Sequence, residues 1–119
     1  MDAGEPLERM AALTREGVPC VLVVLVEALG STPQDAGAKM LVTAQGLESG
    51  TVGCGKVEAK AIALARELLA EPAATPRLVN WVLKRDVGMT CGGSVKLYFE
   101  PRGSSGPGSR WPIWIFGAG

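Results

Sequence analysis

The chain has 119 residues, with 12 basic and 12 acidic side chains, 47% apolar residues and no histidine. That length predicts one domain, large enough to bury a core without metal or disulfide staples. The balanced charge leaves no basic excess for nucleic acid, and the lack of histidine excludes Ser-His-Asp and Cys-His catalysis and any His-ligated zinc site.

The longest apolar run, residues 18–26, is about half of the ~20 residues a membrane-spanning helix needs. The N-terminus is acidic and carries no basic-then-apolar signal pattern. The expectation is therefore a cytoplasmic protein with neither a membrane nor a nucleic-acid partner. Cys20, Cys54 and Cys91 are odd in number and show no paired spacing, which argues against a disulfide framework and for a reducing compartment. The 16 glycines exceed the ~7% average about twofold. Many cluster between apolar runs, where they open backbone conformations and close approaches that other residues resist.

In chain order, residues 7–15 (LERMAALTR) predict a helix with Leu7, Met10, Ala11 and Leu13 on or near its apolar face, stopped by Gly17-Val18-Pro19. Residues 18–29 are rich in β-branched side chains and predict a strand buried on both faces at the centre of a sheet. Residues 30–37 read as a loop. Residues 39–43 and 47–52 read as a hairpin turning at Gln45-Gly46. A helix follows from Lys56 to about Ala70, its stripe made by Val57, Ala61, Leu64, Ala65 and Leu68. Residues 72–76 form a connection, 78–83 a strand and 86–93 a second glycine-rich loop. Residues 94–100 alternate as a half-exposed antiparallel strand, with Val95, Leu97 and Phe99 on one face. The predicted fold class is α+β: a mixed, largely antiparallel sheet with an N-terminal helix and one longer helix. Residues 102–110 have linker composition. Residues 111–119 resemble the first strand of a Rossmann-like domain, ending in the first half of a dinucleotide fingerprint, Gly117-Ala118-Gly119. Without the helix that should follow, this stub is not expected to hold NAD.

Three loops can carry chemistry. In Gly53-Cys54-Gly55-Lys56-Val57-Glu58, a strand-to-helix junction of small residues leaves helix amides open to anions and would stabilise a Cys54 thiolate. Equally, Cys54 can be a small buried apolar residue, Gly55 an N-cap, and Glu58 a carboxylate that caps back onto the backbone. Cys91-Gly92-Gly93 is either a nest of amides beside a thiol or a turn into the next strand. In the third loop, Ser31 and Thr32 can hydrogen-bond a phosphate or a pterin-like ring and Lys39 can pair with phosphate, or the hydroxyls cap the loop locally. No residue is assigned a catalytic role, and no metal ligand set is assigned.

The four blocks GSTPQDAGAKMLV (30–42), GTVGCGKVEAKAI (50–62), GMTCGGSVKLYFEP (88–101) and WIFGAG (114–119), in that order, resemble the XdhC/CoxI family of accessory proteins. The resemblance implies a residue 1–101 domain that binds molybdopterin or the complete molybdenum cofactor. It implies help with sulfuration together with a cysteine desulfurase, and delivery to a molybdenum hydroxylase apoenzyme such as xanthine dehydrogenase. A homodimer is compatible with it. Gly53, Gly55 and Glu58 match the family's glycine turn and acidic residue, and Cys91, Gly92 and Gly93 its C-G-G. Cys54 and Lys56 depart from the family's pattern at the turn. The implied role is that of a cofactor-handling, chaperone-like factor rather than an enzyme. Two rival readings are a thiol-dependent redox or sulfur-transfer enzyme using Cys54 and Cys91, and a non-catalytic interaction domain.

Overall fold

The computed structural model describes residues 5–30, 36–53, 55–71, 74–88 and 92–103. Ser31, Thr32, Cys54 and Cys91, most of the linker and the whole of residues 111–119 lie outside them.

Helix α1 spans Glu5–Glu16, with Pro6 in its first turn, where a missing N–H costs nothing. It ends in a Schellman cap. Gly17 takes φ +76, its N–H reaches the Thr14 carbonyl at 3.1 Å and the Val18 N–H reaches Leu13 at 2.9 Å. Leu13 and Val18 then pack together in one apolar cluster. The buried line of α1 is Pro6 and Leu13, with Met10 half-buried between them, while Leu7 and Ala11 are exposed. The helix is thus rotated from the face its sequence suggested, because spacings of four and three from Pro6 meet the sheet.

The strands are β1 (Cys20–Leu29), β2 (Lys39–Thr43), β3 (Gly46–Gly50), β4 (Arg77–Val82) and β5 (Ser94–Arg102). They lie in the order β3-β2-β1-β5-β4, and every neighbouring pair is antiparallel. β1 is the central strand, as its unbroken apolar run requires. Helix α2 (Gly55–Ala70) covers one face. Val21, Val23 and Leu25 of β1, Met40 and Val42 of β2, and Val95, Leu97 and Phe99 of β5 point to it. They meet Val57, Ala61, Ala65 and Leu68 of the helix. Trp81 of β4 joins this core with its ring tilted 60° to Phe99 at 6.3 Å. The opposite face carries a smaller cluster of Leu13, Cys20, Leu22 and Leu41 under α1.

A bulge between Leu25 and Glu27 makes Val26 an extra residue in β1 and shifts the alternation. Ala28 consequently turns to the α2 core, and Glu27 lies 3.8 Å from Lys96 on the other face. The region predicted as strand followed directly by loop contains an unpredicted element. A π-helical turn, Leu83–Val87, closes on Gly88 at φ 77.

Candidate functional site

The antiparallel order brings the ends of β1, β3 and β4 and the starts of β2 and β5 to one end of the sheet, so all three glycine-rich loops emerge there. Two contacts show how closely they meet. Gly30 has φ +74, and a Cβ built on it would lie 3.1 Å from the Gly93 Cα and 3.5 Å from the Gly92 carbonyl oxygen. The first and third loops therefore pack backbone against backbone, an approach and a φ that favour glycine at position 30. The Lys56 ammonium at the start of α2 donates to the Gly88 carbonyl at 3.0 Å, tying the second loop to the third.

Each loop is anchored locally. Past β4, the Leu83 N–H donates to the Gly93 carbonyl at 3.0 Å and the Gly88 N–H closes onto Leu83. Asp86 accepts the Val82 N–H at 2.8 Å and two donors of Arg85. The Arg85 hydrogen bond, then the Val82 N–H, hold the Asp86 carboxyl below its usual range. In the second loop, Thr51 organises the turn: its hydroxyl accepts the Gly53 N–H at 3.3 Å and engages the Glu58 carboxylate. Glu58 thus reaches back past the helix start to a hydroxyl.

Gly53, Gly55, Gly92 and Gly93 belong to the second and third loops at this end of the sheet, and a Cβ on Gly55 or Gly92 would meet nothing within 4 Å. The N-terminal end of the α2 dipole and the Lys56 ammonium bring positive charge to this end of the sheet. Lys39 is placed apart. Met40 and Val42 face α2, so alternation puts Lys39 with Leu41 on the α1 face, where its ammonium donates to the Gly37 carbonyl at 3.0 Å. Ser31, Thr32, Cys54 and Cys91 lie outside the described residues. Thr51 and Asp86 escaped the sequence reading. A Thr seven residues before Glu58 has no helical periodicity to flag it, and Asp86 looked like one more loop residue.

Cys20, the remaining thiol, is fully buried beneath α1. Burial pushes its pKa up to about 11, a shift that Arg102 partly opposes. It is a packing residue in a protonated state. Among the described residues no group of three or more carboxylates, thiols or imidazoles could hold a metal ion, and no helix is long and apolar enough to cross a membrane.

The sequence matches the family model described as the XdhC and CoxI family over residues 13–81, a span that includes the first two glycine loops. It is 35% identical over 97 residues to the uncharacterized protein YqeB of Escherichia coli K12, covering 78% of this chain and 17% of that protein. The chain thus spans a small part of this relative's length. Its fold is similar to that in the crystal structure of a xanthine dehydrogenase from Bacillus halodurans, with a TM-score of 0.63 at 24% identity over 81% of this chain and 30% of that one.

Proposed function

The chain belongs to the XdhC and CoxI family, and on that premise we propose that it serves the maturation of a molybdenum hydroxylase of the xanthine-dehydrogenase type by binding its molybdopterin cofactor. The supporting observation is the convergence of three glycine-rich loops at one end of the sheet, with Gly30 against Gly93 and Lys56 against Gly88. A cofactor of this kind presents a phosphate, a pterin ring and a dithiolene that carries molybdenum. The described residues fit its anionic end. The first amides of α2 and the Lys56 ammonium suit a phosphate, and the open space over Gly55 and Gly92 lets a flat ring approach the backbone.

In this reading Cys54, between Gly53 and Gly55 in sequence, and Cys91, next to Gly92, supply thiols for the metal or sulfur end. Ser31 and Thr32 contribute hydroxyls from the first loop. Glu58, held by Thr51, shapes the turn and touches no ligand. Lys39, on the other face of the sheet, lies apart from these groups. The role is to bind and pass on a sulfurated cofactor, with a cysteine desulfurase and the apoenzyme as the partners on either side of the hand-over. The chain has no histidine to act as general base beside a nucleophile, which favours binding over turnover.

Anaerobic titration of the chain with molybdopterin, followed calorimetrically, tests this. Saturable one-to-one binding that weakens at least about tenfold in a Cys54→Ala/Cys91→Ala chain is the expected result, a loss of about 1.4 kcal/mol. Unchanged affinity in that variant would remove the thiols from the account, and no binding by the unsubstituted chain would overturn the reading.

A further inference from the structure

The connection between β4 and β5 closes on a single residue. The Leu83 N–H donates to the Gly93 carbonyl at 3.0 Å, and the Leu83 carbonyl accepts the Gly88 N–H. Leu83 is itself fully buried in the core beneath α2. Both ends of the third loop, at Gly88 and Gly93, are therefore pinned to one fixed point. Asp86 ties the π-helical turn before the loop to the end of β4 through the Val82 N–H at 2.8 Å. Gly93 in turn lies against Gly30 of the first loop. The polar tie to the second loop is one side chain, Lys56, whose ammonium donates to the Gly88 carbonyl at 3.0 Å.

Lys56 stands in the first turn of α2, where the helix dipole disfavours a cation. Gly88 caps the π-helical turn, and carbonyls at such an end lack partners within their own turn. The lysine is thus held by the end of a neighbouring element, against the preference of its own helix. An ammonium has three donors. Among the described residues one of them goes to Gly88, in an exposed bond, and the others remain for an anion at the start of α2. A side chain already fixed in this way loses less rotamer freedom when it meets a ligand.

We propose that Lys56 is a positioning residue that acts through Gly88, so that an anionic group bound at the start of α2 orders the third loop. This rests on the reading that a phosphate-bearing ligand occupies that end of the sheet. Exposed hydrogen bonds open and close in the free chain. A ligand that takes the spare donors keeps the ammonium where it already meets Gly88, and the bond stays closed. The contacts then run from Lys56 through Gly88, Leu83 and Gly93 to Gly30, and occupation of the second loop is felt in the other two. Linkage makes the effect reciprocal: whatever loosens the π-helical turn weakens the ligand.

Amide hydrogen exchange of the full chain, free and with saturating molybdopterin under anaerobic conditions, tests this at the Leu83 and Gly88 amides. In the free chain Lys56→Met removes the donor at similar side-chain length. It should speed exchange there by about two- to tenfold, the worth of one net hydrogen bond. Lys56→Arg keeps a donor and should stay within about twofold of the unsubstituted chain. Molybdopterin should slow both amides in the unsubstituted chain and leave them unchanged in the Lys56→Met chain. Asp86→Ala, away from every group offered to the ligand, should weaken molybdopterin binding at least about twofold by linkage. Equal free-chain exchange with and without Lys56 would overturn the proposal, as would equal protection by molybdopterin in both chains or an Asp86→Ala chain of unchanged affinity. Each of those results leaves the maturation reading standing. An unsubstituted chain that does not bind molybdopterin overturns both.

Discussion

The two faces of the sheet are held with unequal strength. On one, α2 lies along a continuous core that takes side chains from β1, β2, β4 and β5. On the other, α1 packs over β1 and β2 around four buried residues and reaches β3 through polar ties, and among the described residues no helix lies over β5 and β4 on this face. Helix length is part of the reason. α2 has 16 residues and α1 has 12, about 24 and 18 Å at 1.5 Å per residue, and strands lie ~4.8 Å apart. The shorter helix, with one narrow stripe, covers little more than half the sheet. Among the described residues, the domain is firmest on the α2 side and more thinly packed on the α1 side.

The largest test of that inequality is Phe99→Ala. Phe99 is fully buried against Trp81, and its loss should cost about 3–5 kcal/mol in urea unfolding. Leu13→Ala, under α1 and 5% exposed, should cost about 2–3 kcal/mol. Its added hydrogen exchange should be confined to α1, β2 and β3. Equal costs for the two would erase the distinction between the faces.

Gly30→Ala comes next. It forces a side chain into φ +74 and into the Gly93 backbone, so about 1–2 kcal/mol should be lost, and the affinity for molybdopterin should fall together with it. A neutral result would mean the first and third loops do not pack as described. Asp86→Asn should have a smaller effect with a clear pH signature. The lowered carboxyl contributes stability that is present above the ordinary carboxylate range and disappears as pH falls through the lowered value. The unsubstituted chain should therefore weaken in acid first around residues 82–93, and the variant should show less of that acid dependence in exchange measurements.

Cys20 gives the finest probe of the α1 face. With its pKa raised from 9.0 to about 11, it favours folding fully below pH 9, and that contribution falls away as pH rises from 9 towards 11. At pH 8 the native thiol should stay unreactive to a disulfide reagent and react on unfolding. Fast native reaction at Cys20, read by peptide mapping, would show that α1 lifts from the sheet.

Much of this was legible from local patterns. The β1 run of apolar residues between glycine breakers announced a central strand. The Val57-Ala61-Ala65-Leu68 spacing announced the buried stripe of α2, and the alternation from Ser94 announced β5. Periodicity served less well where a contact distant in sequence decides orientation. The rotation of α1 depends on Pro6 settling by Gly50, and the π-helical turn after β4 depends on Asp86 reaching back to Val82. Among site residues, the glycine loops stood out by composition. Thr51 did not, since its role exists only once Glu58 has been carried round to it.

By itself the sequence determined the family, the element types and the three loops rich in glycine, because periods of 3.6 and 2 and the breaker residues act over a few neighbouring positions. Only the tertiary structure decided that those loops share one end of the sheet, that Lys39 falls on the other face from Lys56, and that α1 packs beside β3 at one edge while β4 forms the other. Each of these follows from strand order and register, which couple residues far apart in the chain and leave no local pattern to read.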